Sequence, residues 1–127
     1  MKKRGYILIP LTVMVLLIVL FKTVFLIGFV PSESMKPTSN KGSIILGSRI
    51  FKELDVGDIV IFKRNGQLLV KRIAATEGQQ VERKGELITV PKDSFYVLGD
   101  NESCSYDSRY WEEPFVQKKD VIAKALL

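Results

Sequence analysis

The chain has 127 residues, a formal net charge of +5 and 46% hydrophobic residues, so its length and composition allow one membrane span and one small domain. It contains one cysteine and no histidine. An internal disulfide, a multi-cysteine metal site, a zinc site built on histidine and a Ser-His-Asp triad are therefore excluded.

The excess positive charge lies at the N-terminal end. The segment before residue 31 contains four basic residues and no acidic one: Lys2, Lys3, Arg4 and Lys22. The rest of the chain contains the other 15 of the 19 basic residues and all 14 acidic residues, so its charge is nearly balanced. The basic character therefore belongs to an anchor and not to a phosphate-binding face, and we expect no nucleic-acid partner.

An apolar run predicts the anchor. Residues 6–21 would span about 24 Å as a helix, less than a hydrocarbon core of ~30 Å, so we expect the span to continue towards Val30. The basic residues before it predict a cytoplasmic N-terminus and place the following domain outside. A cleaved export signal is the alternative, with residues 32–34 as a small-residue triplet, but its apolar segment would be too long.

The octapeptide Pro-Ser-Glu-Ser-Met-Lys-Pro-Thr at residues 31–38 follows the apolar run directly. We interpret Ser34 as a nucleophile, and a fully extended chain holds it within about 14 Å of the end of that run. Its target must then also lie at the membrane. The alternative is that two serines between two prolines form a polar link from an anchor to a domain.

Short strands with glycine-containing and charged turns are predicted after residue 41. The predicted strands are residues 43–46, 58–64, 67–74, 86–90, 95–98 and 121–127. Roughly 97 residues are enough for one compact β core. The sequence thus predicts a mostly β fold, with a transmembrane helix in residues 1–30 and a small all-β domain in residues 31–127.

Asn65-Gly66 between two apolar runs predicts a two-residue hairpin of type I′. Its register pairs Arg64 with Gln67, Phe62 with Leu69 and Val60 with Lys71. Lys71 is then the only charge on an apolar face. Desolvation lowers the pKa of such a lysine and allows a neutral amine that can accept the proton of a serine hydroxyl. The alternative is a strand lysine that reaches the edge of the sheet with its ammonium in water.

Four motifs in order resemble the conserved boxes of bacterial type I signal peptidases, the leader peptidase family of Ser-Lys dyad serine endopeptidases. They are Pro-Ser-x-Ser-Met-x-Pro-Thr at 31–38, Gly-Asp-Ile-Val-Ile-Phe at 57–62, Val-Lys-Arg-Ile at 70–73, and Gly-Asp-Asn at 99–101 followed by Ser-x-Asp-Ser-Arg at 105–109. The short connection at 74–92 is similar to that of small, single-span Gram-positive-like members. The resemblance implies a small catalytic domain of coiled antiparallel sheets.

The resemblance also implies roles for individual residues. Ser34 would be the nucleophile, and Lys71 the general base for acylation and then for the deacylating water. Ser32 and the backbone N–H of Ser34 would form the oxyanion hole. Ser105 would orient the Lys71 amine.

Two ion pairs are implied next to these residues, Asp107 with Arg109 and Asp100 with Arg72. Some positions depart from the family pattern, which puts the outer salt bridges and substrate details in question, not the chemistry. Glu102 stands where arginine is usual and Ser39 where leucine is common. The turn at 76–78 lacks the usual proline, and the segment 111–115 is longer than usual.

The interpretation that follows is a single-pass cell-membrane protein that removes signal peptides from exported precursor proteins, with its catalytic domain extracytoplasmic. Its partners would be these precursors and the lipid membrane, with no nucleic acid, no metal and no cofactor. One alternative is a catalytically silent relative that serves as a binding or assembly factor for surface proteins such as pilins. Another is a cytosolic Ser-Lys autoprotease, which would leave the apolar span without a purpose.

Overall fold

The computed structural model describes residues 2–30 and 32–126. Pro31 of the octapeptide and Leu127 of the last predicted strand lie outside the described residues. The chain begins with one long helix, α1 (Lys2–Val24). Its 23 residues give a length of about 35 Å.

The apolar run does not stay helical as far as Val30, so this part of the expectation is wrong. Residues after Val24 form strand β1 (Phe25–Phe29), which pairs with β2 (Ile44–Ser48) in antiparallel register. Phenylalanine and isoleucine suit strands as well as apolar helices, and pairing with β2 decides between the two states.

Helix α1 does not pack into the domain. None of the residues in its most apolar window is buried inside the protein, and that window has a mean hydropathy of 2.6. By length and composition, α1 is able to cross a membrane.

The rest of the described chain is mostly β, as predicted. A seven-stranded antiparallel sheet has the order β1-β2-β9-β3-β4-β7-β8, and β5 and β6 form a separate hairpin. The other strands are β3 (Ile59–Arg64), β4 (Gln67–Thr76), β5 (Gln80–Arg83), β6 (Glu86–Thr89), β7 (Ser94–Leu98), β8 (Phe115–Gln117) and β9 (Val121–Ala125). Strands β1, β5 and β8 were not predicted from the sequence. Strand β8 is only three residues long, β5 is polar, and β1 continues the apolar run of the helix.

The predicted β3–β4 hairpin register is confirmed. Arg64 lies opposite Gln67, and Val60 lies opposite Lys71. Asn65 and Gly66 have φ values of 50° and 78°, the left-handed conformation that a type I′ turn requires.

Two apolar clusters cover the two faces of this hairpin, because successive strand side chains point to opposite faces. Val60, Phe62 and Ile73 belong to one cluster, which also contains Trp111. Ile61 and Val70 belong to the other, together with Val30, Met35, Ile45 and Ala123. Lys71 therefore shares the face of Val60 and Phe62, as the hairpin register predicts, and this is the Trp111 side of the sheet.

Candidate active site

Ser34 is held between two buried apolar side chains. Val30 and Met35 pack into the cluster around Val70, and the Ser34 carbonyl accepts a hydrogen bond of 2.7 Å from the backbone N–H of Asn101. These contacts dock the serine segment onto the sheet. Ser34 itself is only 4% exposed.

Ser32 lies next to Ser34. The Ser32 hydroxyl donates to Ser34 Oγ at 3.0 Å, and the Ser34 backbone N–H donates to Ser32 Oγ at 3.4 Å. One hydroxyl and one backbone N–H thus lie beside the Ser34 oxygen. Donors in such positions can stabilise negative charge that develops on an acyl group attacked by that oxygen.

Lys71, on β4, is 4% exposed. Burial lowers the pKa of its amine, Asp107 acts in the opposite direction and raises it, and Arg109 lowers it further. Lys71 and Ser34 line the same cleft, which has a volume of about 620 Å³. Among the described residues no hydrogen bond joins the Lys71 amine to the hydroxyl of Ser34 or of Ser105. Hydrogen bonds of this kind are often long in a free enzyme and shorten when substrate binds.

The Ser105 hydroxyl donates to Asp107 Oδ2 at 2.7 Å. Asp107 is fully buried and also accepts hydrogen bonds from the Gly99 N–H and from the Arg109 backbone and guanidinium. Burial raises the pKa of its carboxyl, but the hydrogen bonds from Arg109, Gly99 and Ser105 outweigh burial and leave the pKa below its usual value. The buried carboxylate therefore fixes the loop that carries Ser105.

Asp100 forms the other ion pair. Arg72 Nε and an Arg72 terminal nitrogen donate to its two oxygens, each at 2.8 Å, and the Thr38 hydroxyl donates to it at 2.5 Å. The hydrogen bond from Arg72 lowers the pKa of Asp100. Asp100 thus connects the strand of the buried lysine to the segment of the buried serine.

Gly99 has a steric role that the sequence motif did not reveal. A Cβ at this position would lie 2.1 Å from Ser105 Oγ and 2.6 Å from the Ser34 carbonyl oxygen. The backbone of the loop can approach both serines only because residue 99 has no side chain. A signal in the sequence existed, since Gly99 opens the last motif, but the neighbours that exclude a side chain come from distant parts of the chain.

The far wall of the cleft was also missed. Leu69 and Gln67 continue the cleft from Lys71 along β4, and the opposite side is lined by Cys104, Tyr106, Trp111, Glu112 and Glu113. The sequence indicated only that residues 111–115 form an unusually long segment. Within the described part of the chain, no group of three or more acidic or cysteine side chains is placed to hold a metal ion.

Comparison with known proteins gives one family. The family described as "Signal peptidase, peptidase S26" matches residues 3–90 and 85–127. A protein named "Inactive signal peptidase IA" from Staphylococcus aureus strain MRSA252 is 27% identical, with 100% of this chain and 92% of that protein covered.

Two further relatives come from other organisms. "Probable signal peptidase I-1" of Synechocystis is 28% identical over 93% of this chain and 79% of its own length. "Thylakoidal processing peptidase 1, chloroplastic" of Arabidopsis thaliana is 32% identical over 65% of this chain, but the match covers only 36% of that protein.

Proposed function

The chain belongs to the peptidase S26 family of signal peptidases, and from this premise we propose that it is a membrane-anchored serine endopeptidase that cleaves signal peptides from exported precursors. The observation that carries the proposal is a buried serine and a buried lysine that line one cleft, with burial lowering the pKa of the lysine. A lowered pKa favours the neutral amine, which is the form that can accept the proton of a serine hydroxyl.

The reaction would begin with neutral Lys71 taking the proton from Ser34 Oγ while that oxygen attacks the carbonyl carbon of the scissile bond. The Ser34 N–H and the Ser32 hydroxyl would stabilise the oxyanion, and one such donor is typically worth about 3 to 4 kcal/mol. As the C–N bond breaks, Lys71 would return the proton to the leaving amine. Water would then lose a proton to Lys71 and attack the acyl ester, and Lys71 would return that proton to Ser34 Oγ as the ester C–O bond breaks.

Ser105 would position the base indirectly in the free protein, because its hydroxyl is hydrogen bonded to Asp107. Asp107 also acts on the Lys71 amine through its charge. Ser105 and Asp107 therefore support the base as one unit, and reorientation of the Ser105 hydroxyl towards Lys71 would accompany substrate binding.

The substrate would bind as a strand along β4. Pairing between β4 and β7 begins at Arg72, whereas β3 pairs with β4 from Gln67 onwards. In an antiparallel ladder, every second residue of β4 exchanges backbone hydrogen bonds with β3. Leu68 and Val70 are the residues in between, so their backbone N–H and C=O groups face the unpaired edge of β4. An extended peptide can add to such an edge, next to Lys71.

The apolar helix α1 and the family support membrane anchoring. We propose that α1 spans the cell membrane once, with the basic N-terminus in the cytoplasm and the β domain outside. Protease added to intact spheroplasts should then digest the β domain and spare a tag placed before Tyr6. The reverse pattern of protection would overturn this topology.

A second candidate function follows from the name of the Staphylococcus aureus relative, which is called inactive. The chain would in that case be a silent binding or assembly factor for surface proteins such as pilins. Retention of both Ser34 and Lys71 favours the enzyme.

The test is cleavage of a precursor with an Ala-x-Ala site by the full chain in detergent. We expect a single specific cut by the wild type and none by Ser34→Ala or Lys71→Ala. Ser94 is a similarly buried serine on β7 that does not line the cleft, so Ser94→Ala is the matched control and should still cleave. Processing by Ser34→Ala, with no other peptidase present, would contradict the enzyme proposal.

A further inference from the structure

The far wall of the cleft is built around Trp111, the only tryptophan in the chain. Its ring packs edge-on against Phe62 in the core, with ring centroids 6.1 Å apart, and against Tyr106 at 6.5 Å. The Arg64 guanidinium covers the ring at 4.1 Å from its centroid. Trp111 thus connects the apolar core to the exposed Tyr106 at the mouth of the cleft.

Two arginines from different hairpins fix the backbone of this wall. Arg83, at the end of β5, donates to the carbonyl of Ser108 at 2.9 Å and to that of Trp111. Arg64, at the end of β3, donates to the carbonyls of Glu113 and Phe115. A segment held from both sides presents a preorganised surface to a ligand.

The two faces of a strand added along β4 would meet different surroundings. Side chains on the Val70 face would meet a closed apolar cluster that includes Val30 and Met35. Side chains on the Leu69 face would enter the open cleft, opposite Tyr106 and Trp111. Because the side chains of an extended peptide alternate between faces, neighbouring substrate residues would meet opposite size limits.

We propose that the cleft between Leu69, Tyr106 and Trp111 binds the side chain of the residue two positions before the cut and selects a large one. This inference rests on the proposed function and on the Ala-x-Ala site of its test precursor, in which small residues occupy the positions one and three before the cut. Those two share a face, and the closed Val70 side is where small side chains fit. The intermediate side chain then points into the cleft. Glu112 and Glu113, which also line the cleft, disfavour an acidic end on that side chain, since like charges repel.

The test uses peptides of the form Ala-x-Ala in which x is Ala, Leu, Tyr or Glu, cleaved by the full chain in detergent. With the wild type we expect kcat/KM to be about tenfold higher for Leu and Tyr than for Ala, the scale at which an apolar pocket discriminates, and lowest for Glu. Tyr106→Ala should remove most of the preference, so that kcat/KM for the Leu and Tyr peptides falls towards the value for the Ala peptide.

Tyr110 provides the matched control. It stacks on Tyr106, with centroids 6.2 Å apart and planes 6° from parallel, and it is exposed but does not line the cleft. Tyr110→Ala should keep the preference of the wild type. Equal rates for Ala, Leu and Tyr in the wild type, or an unchanged preference in Tyr106→Ala, would overturn the inference while the cleavage itself still supports the proposed function.

A binding experiment separates the inference from catalysis. In Ser34→Ala the fluorescence of Trp111 should change on addition of the uncleaved Tyr peptide, with about tenfold weaker binding of the Ala peptide. If the peptides show this binding preference but the wild type does not cleave them, the proposed enzyme function is contradicted and the proposed subsite is supported. Binding that ignores the size of x would overturn the subsite.

Discussion

Two aspartate–arginine pairs hold the loop between β7 and β8, and they differ in burial. Asp107 is 0% exposed and its partner Arg109 is 26% exposed, whereas Asp100 is 16% and Arg72 36% exposed. Asp107 also accepts hydrogen bonds from Gly99 and Ser105, and Asp100 accepts one from Thr38. The buried carboxylate organises the loop from inside, while the more exposed one fastens the loop to its neighbours.

The comparison predicts the largest effect for Asp107→Ala. This change leaves Arg109, the Ser105 hydroxyl and the Gly99 N–H without their acceptor, and breaking a buried pair typically costs about 3 to 5 kcal/mol of unfolding free energy. Urea unfolding of the full chain in detergent, followed by Trp111 fluorescence, measures the loss. A cost below about 1 kcal/mol, the range of exposed pairs, would contradict the distinction between the two pairs.

Gly99→Ala should be the next most damaging change, because Gly99 lies where the buried pair meets Ser34. The Ser34 carbonyl in the path of the new Cβ is backbone and is fixed by Asn101, so it cannot swing away. We expect about 1 to 3 kcal/mol of destabilisation from overpacking and about a hundredfold loss of kcat from displacement of Ser34.

The control is Gly28→Ala on β1, where the nearest atom to a new Cβ is 3.9 Å away. This variant should keep the cleavage rate of the wild type. Equal rates for Gly99→Ala and Gly28→Ala would show that the close approach at Gly99 does not matter for the reaction.

Asp100→Ala should cost less than either, about 1 kcal/mol, because solvent screens a partly exposed pair. Its pKa is lowered by Arg72, so the stabilisation is present above the pKa of the unfolded carboxyl and is lost as pH falls through the lower pKa of the folded state. The unfolding free energies of wild type and Asp100→Ala should therefore converge in acid. A difference that grows with acidity would contradict this assignment.

The contrast between the loop and the β3–β4 hairpin explains what the sequence can predict. Asn65-Gly66 is a local signal whose turn geometry fixes the register, and the register places Lys71 among apolar side chains without knowledge of any other element. The loop at residues 99–109 has no periodicity. Its residues contact Ser34 and Arg72, which are far away in sequence. Only the resemblance to a family therefore identified these loop residues.

Strand β1 illustrates a second limit. Residues 25–29 continue the apolar run of α1, and an apolar run of this kind is compatible with a membrane helix or a buried strand. The choice is made by β2, which lies about twenty residues further on and supplies the hydrogen-bonding partner. The far wall of the cleft was not predicted because it also depends on residues distant in sequence. Arg64 and Arg83, which hold its backbone, come from separate hairpins.

The smallest expected effect is a change in the pH dependence of cleavage. It tests the difference between the two aspartate–arginine pairs most directly, because it depends on the charge of each aspartate and not on its packing. Asp107 raises the pKa of Lys71 and Arg109 lowers it, whereas Asp100 is engaged with Arg72. Asp107→Asn should therefore lower the pKa of Lys71, because the ammonium loses the negative charge that raises this pKa while Arg109 still lowers it. A lower pKa makes the neutral base available in more acidic solution, so the acid limb of kcat/KM should move to lower pH. We expect this shift of the limb even if the maximal rate falls. Asp100→Asn is the matched control and should leave the limb in place. An acid limb that moves to higher pH in Asp107→Asn, or that moves equally in both variants, would mean that the Asp107 charge does not tune Lys71.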